Sequence, residues 1–221
     1  AVAGQDFSVT LAAQVLGVPA IDLATPWDEL EAAQVVCGQA LAHDLIHDAA
    51  RASVPAAVAG HLHAQVARWL HSEGAEPARI AYHWQQAGRP HCAGPEWLAA
   101  AQRCGLRGRR SEQAHLLDCA ATAFEQAGEF KLRSRALLLR AQIVGEHSDL
   151  KAGLLALEVA QAALVDDEDR LRHVAIGISV RGLHGDDDHV LTHAPSALEL
   201  AGSLARPDEA LVVLRPYCGA L

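Results

Sequence analysis

The sequence contains no Asn and no Met, and only two Lys, Lys131 and Lys151, stand against sixteen Arg. Together with abundant Ala, this skew reads as the coding bias of a high-GC bacterial genome and not as a physical requirement. The missing initiator and the opening Ala1-Val2-Ala3 are those expected of a piece excised from a larger protein. Aromatic residues make up only 4% of a chain that is 51% hydrophobic. That scarcity disfavours a large β-core and favours closely packed helices built from Ala, Leu and Val. No apolar run reaches the ~20 residues that span a bilayer. No signal-peptide pattern is present, and the five cysteines form no C-x-x-C pair; reduced thiols in a cytoplasmic protein are the expectation. No G-x-x-x-x-G-K-[ST] occurs, so a P-loop enzyme core is excluded and no catalytic residue is assigned.

What is present begins with length and charge. At 221 residues the chain can bury a substantial core in one or two domains. The formal charge of −9 argues against a protein whose main task is gripping nucleic-acid phosphates.

Along the chain, Phe7 to Gly17 reads as a helix with Ser8 as N-cap, Gly17 as stop, and Phe7, Leu11, Val15 and Leu16 near one face. A short helix follows Pro26. Val35 to Leu41 then reads as two tiny strands around a Gly-containing turn. A helix over 43 to 54 places Leu45, Ile46, Ala49, Ala50, Ala52 and Ser53 on one face, with His43, Asp44, His47, Asp48 and Arg51 on the other. Helix, helix, hairpin, helix is the order of a small winged-helix unit, here residues 1–75. A longer helix after Pro55 and another opened by Pro77 follow, and Arg89 to Pro95 reads as a linker. Residues 77–95 would thus connect the first unit to a second, helical one over 76–221.

The second part repeats. His115 to Gly128 can be laid over His189 to Gly202 with seven of fourteen positions identical, at an offset of 74, twice 37. A vaguer copy, Leu154 to Leu164, lies between. This period is close to the ~34 residues of a tetratricopeptide-like helical array. In such an array Ala120 and Ala123 let helices approach while Phe124 and Leu198 fill the gap between them. Pro207 to Leu211 resembles a further helix start.

Several clusters invite a function. His43 and His47 have the i, i+4 spacing of helical zinc ligands, but no Glu lies between them and no Cys cluster is nearby in sequence, so no metal is assigned. His61-x-His63 is read as a solvent-facing or core-satisfied pair, and Cys92, Cys104 and Cys119 as buried small hydrophobes. The basic cluster Arg103, Arg107, Arg109 and Arg110 suits a helix C-terminus. The acidic runs at 166–169 and 186–188 suit loops and N-caps, since they lack the Gly and the distal Glu of a calcium loop.

Ala42-His43-Asp44-Leu45, following a short hairpin, resembles the Met-His-Asp-Leu motif in the winged-helix domain of signal-transduction ATPases with numerous domains. The wider pattern of Phe7 to Gly17, Leu62-His63, Ile80 to Trp84 and Ala87-Gly88 is similar to the segment after the ATPase core of large bacterial transcriptional regulators with a tetratricopeptide-like C-terminal half. Ala42 departs from the family's usual Met or aromatic residue. The resemblance implies a non-catalytic regulatory fragment. In it His43 meets the β-phosphate of an ADP held by an upstream ATPase domain that this chain lacks, and Asp44 caps the helix or orients the ring. The chain itself would carry no cofactor; ADP or ATP would belong to the parent protein. The helical repeats would take a protein or small-molecule inducer as partner. Direct nucleic-acid contact is disfavoured, because the 43 to 54 helix offers Asp44 and Asp48 against one cation, Arg51. The other reading of the same residues is a stand-alone helical scaffold that works only through protein contacts, with His43 structural.

Overall fold

The computed structural model describes residues 2–38 and 40–221, and among these the protein is mainly α-helical. The chain divides into two compact units, Ala1–Ala93 and Gly94–Leu221. No single helix among the described residues is long and apolar enough to cross a membrane.

In the first unit a 3₁₀ turn at Gly4–Asp6 leads into α1 (Val9–Leu16), and a further 3₁₀ turn leads into α2 (Ala24–Ala32). Ser8 caps α1 by accepting the Leu11 N–H at 3.1 Å, and Gly17 ends it at φ +68°, a left-handed backbone that glycine adopts without a Cβ penalty. β1 (Val36–Cys37) and β2 (Ala40–Leu41) pair antiparallel, Val36 opposite Leu41 and Cys37 opposite Ala40. The expected hairpin is therefore formed, with Gly38 in its turn at φ +62°, while Gln39 lies outside the described residues. Then come α3 (Asp44–Ser53), α4 (Ala56–Ser72) and α5 (Pro77–Gln86).

The core of this unit gathers Leu11, Val66, Ala67, Leu70 and Ile80, with Val15, Trp69 and Trp84 packed against them. Removing aliphatic side chains of this size from water contributes ~1.5–3 kcal/mol each. α3 stands apart from that core. Leu45, expected on its inner face, is 81% exposed, and Ala49, Ala52 and Ser53 are exposed too, whereas Ile46, His47 and Ala50 are half-buried. The helix is thus rolled by about one residue, ~100°, from the expected orientation. The side so turned carries His47, which with Arg51 lines a cavity shared with the buried His63 and His83.

Arg89 to Pro95 is not a linker. The Cys92 and Ala93 N–H groups donate to the Arg89 carbonyl at 3.0 and 3.1 Å, so α6 (Pro90–Leu106) begins directly after Arg89. Proline is tolerated at a helix start, where its missing N–H has no helical partner to lose. The division between the two units falls inside this helix.

The second unit continues with α7 (Arg110–Ala127), α8 (Phe130–His147), α9 (Leu150–Gln161), α10 (Asp167–Leu183), α11 (Asp187–Ser203) and α12 (Pro207–Ala220). Each packs on the next, and α8 also packs on α10, and α10 on α12. The two matched sequence copies fall on α7 and α11. Close approach is built from small residues. A Cβ placed on Gly153 of α9 would lie 2.8 Å from the Gly145 Cα of α8, and one on Gly94 would lie 2.6 Å from the Phe124 ring. Phe124 is fully buried, as expected, while Leu198 is only partly so.

The lysine-poor composition gives Lys131 a particular place. Its ammonium donates to Asp166 and Asp169 at 2.6 and 2.7 Å, bridging α8 to the start of α10, and Asp169 is completely buried. Burial alone would lower the Lys131 pKa, but its hydrogen bonds to Asp166 and Asp169 raise it above the ordinary value. Asp166 is also the α10 N-cap, accepting the Asp169 N–H at 2.9 Å, and Asp186 caps α11. The acidic runs are N-caps as expected, but Asp169 adds a buried ion pair.

Candidate functional site

α4 and α5 each carry a histidine on the stripe that faces the core. On α4, His63, Val66, Ala67 and Leu70 follow the i, i+3, i+4, i+7 spacing; on α5, Pro77, Ile80 and Ala81 hold i, i+3 and i+4, with His83 beside that stripe at i+6; all are buried. Gly74 at φ +66° turns the chain between the helices, and Pro77 presets the first turn of α5. Packing of α4 on α5 therefore forces two imidazoles together inside the unit.

His63 Nδ1 and His83 Nδ1 are 2.8 Å apart, and His83 Nε2 is 3.2 Å from Asp6 Oδ2. An ionised carboxylate can only accept, so His83 donates its Nε2–H to Asp6. Its Nδ1 is then a lone pair that accepts the Nδ1–H of His63, which leaves His63 Nε2 unprotonated. The result is a buried line from Asp6 through His83 to His63, with a free imidazole lone pair at its end. Arg79 pairs with Asp6 Oδ1 and holds that carboxylate in place.

Both rings are neutral near pH 7. Burial, then the neighbouring His83 and Arg51, push His63 down to about 4; burial, then Arg79, push His83 down to about 4. Asp6 pulls the other way, but its charge is shared with Arg79.

Beside this line lies a cavity of about 460 Å³. It is walled by Asp6, His63, Arg79 and Tyr82, and α3 contributes His47 and Arg51. The rings of Tyr82 and His63 meet edge to face, with centroids 6.2 Å apart. The chemistry on offer is two guanidinium groups, one carboxylate already engaged, a neutral imidazole acceptor and the ring of His47. Among the described residues no group of three or more His, Cys, Asp or Glu is placed to hold a metal ion.

The two residues singled out from sequence lie elsewhere. His43 is the N-cap residue of α3 in extended backbone, exposed, and makes no side-chain cap. Asp44 is the first helical residue, exposed, where a carboxylate favours the positive end of the helix dipole. Neither lines the cavity; His47 and Arg51, about one and two turns further along, do. Asp6, His63 and His83 were missed as a group. The available signal was the coincidence of His63 and His83 with core positions of their own helices, where an imidazole needs a partner. Asp6, 77 residues before His83, gave none.

Comparison of the chain with family models, with curated proteins and with solved structures finds no match.

Proposed function

We propose that the chain is a non-catalytic regulatory fragment: its first unit a winged-helix-like module that closes over a nucleotide held by an upstream ATPase domain, its second a tetratricopeptide-like array that binds a protein or inducer. The observation that carries this reading is the position of His43. It lies one residue after a two-residue β-strand, is the N-cap residue of α3, and is exposed. A ring so placed is accessible to a phosphate on another domain, and an imidazolium–phosphate hydrogen bond is of the strong, charge-assisted kind. The consecutive helix pairs α7/α8, α9/α10 and α11/α12 support the second half, because stacked pairs present extended surfaces suited to protein partners. A cytoplasmic setting belongs to the same reading.

The test is His43→Ala in the protein that carries the ATPase domain. Loss of one charge-assisted hydrogen bond, ~1.5–3 kcal/mol, should weaken ADP retention by about 10- to 100-fold or give constitutive signalling. Unchanged ADP release and unchanged signalling would sink the proposal. The second reading, a helical scaffold with His43 structural, draws on the exposed apolar side chains Leu155 and Val159 of α9. It is favoured if the gene encodes no nucleotide-binding domain upstream.

A further inference from the structure

We propose that the cavity beside the Asp6–His83–His63 line binds a small organic anion that also carries a hydroxyl group, such as a hydroxycarboxylate or a sugar phosphate. The proposal stands apart from the nucleotide reading, since neither His43 nor Asp44 lines this cavity.

Three features converge on that ligand chemistry. The first is charge. Arg51 and Arg79 line the cavity, and the one carboxylate in its wall, Asp6, is paired with Arg79 and accepts from His83. One guanidinium charge is therefore left over for an incoming carboxylate or phosphate, groups that the planar fork of arginine matches in two-point contact. Asp48 lies 3.6 Å from the cavity residue His47, but it is exposed and screened by water.

The second feature is the acceptor. Asp6 fixes the tautomer of His83, His83 fixes that of His63, and the far nitrogen of His63 is left with a lone pair. His63 is only 7% exposed and lines the cavity, and its far nitrogen is not among the fully buried unpaired atoms, so it can be reached from the cavity by a partner that brings an O–H. A ligand with an anionic end and a hydroxyl would satisfy Arg51 and His63 together. Recognition of the hydroxyl by this ring nitrogen favours the hydroxylated ligand over the analogue that lacks it.

The third feature is size. A cavity of about 460 Å³ suits a molecule of a few carbon atoms and not a polymer. Tyr82 supplies an aromatic wall with a polar tip, which suits the carbon skeleton of such a ligand.

The experiment is calorimetric titration of the 221-residue chain with L-malate, succinate, D-glucose 6-phosphate and inorganic phosphate. Malate binding at least tenfold tighter than succinate, or glucose 6-phosphate at least tenfold tighter than inorganic phosphate, supports the proposal; which of the two pairs responds tells a carboxylate ligand from a phosphate one. Arg51→Gln should weaken the preferred ligand at least tenfold with the thermal midpoint unchanged, and Arg51→Lys should restore part of the affinity. His63→Gln should bring the affinities of the hydroxylated and unhydroxylated partners together. Equal binding within both pairs overturns the proposal, as does unchanged affinity in Arg51→Gln. Absence of heat with every probe at about 10 mM, enough to populate even a millimolar site, overturns it as well.

Discussion

His63 and His83 approach nitrogen to nitrogen, Nδ1 to Nδ1 at 2.8 Å, inside the packed face between α4 and α5. A contact that short between two bases requires one proton between them, so one ring must donate and the other accept. Adding a second proton would place two donors face to face in a buried site beside Arg51 and Arg79.

Acid should therefore loosen the first unit. Both rings titrate near 4 in the folded chain and near 6.5 when exposed. A lowered pKa means that the folded state disfavours the charged ring. The stabilisation is complete above the unfolded value of 6.5 and is lost as pH falls from 6.5 toward about 4. The loss for the pair is of the order of a few kcal/mol, because part of the His63 shift is repulsion from His83 and counts once. Chemical denaturation followed by Trp69 and Trp84 fluorescence at pH 7.5, 6, 5 and 4 would measure it. A flat profile across that window would contradict the neutral pair.

Breaking the line should cost more than replacing it. His83→Phe strands the His63 Nδ1–H and removes a donor from Asp6, so it should destabilise the first unit by ~2–4 kcal/mol. His63→Leu combined with His83→Phe leaves fewer unpaired buried groups and should be less damaging than the sum of the single changes. Additive losses in urea unfolding would show that the two rings are not coupled.

Lys131→Met should leave the fully buried Asp169 carboxylate short of its cation and cost ~3–5 kcal/mol in the second unit. Lys131→Met with Asp169→Leu should recover most of it, since an apolar pair can replace a buried ion pair. Recovery absent from the double variant would mean that the pair is required for more than charge compensation.

Gly145→Ala should destabilise by ~1–3 kcal/mol through overpacking, because the added methyl meets Val180 of α10. Gly145→Ala with Val180→Ala should relieve part of it. A Gly145→Ala variant as stable as the parent by thermal unfolding would mean that α8 and α10 are less closely packed than described.

The helices were legible in the sequence because their start and stop signals are local: Ser8, Gly17, Pro77, Gly88 and the Asp166 and Asp186 caps all act within one turn. The hairpin was legible for the same reason. Pro90 and Pro95 misled, since two prolines within a helix's first turns resemble a linker when only composition is weighed. The roll of α3 was hidden because its apolar and polar faces are both self-consistent, and which of them turns inward depends on residues distant in sequence that share its cavity, His63 and His83. The Asp6–His83–His63 line depends on a contact between residues 77 positions apart, which no periodicity encodes.

The packing of α8 on α10 and of α10 on α12 makes α10 the common neighbour of four helices, α8, α9, α11 and α12. Stability in such a stack behaves as a chain of nearest-neighbour couplings. Protection of backbone amides against exchange should then be deepest in α10 and fall away toward α12. A partner that grips α12 would be felt at α8 by tightening the link they share, with no displacement of either helix.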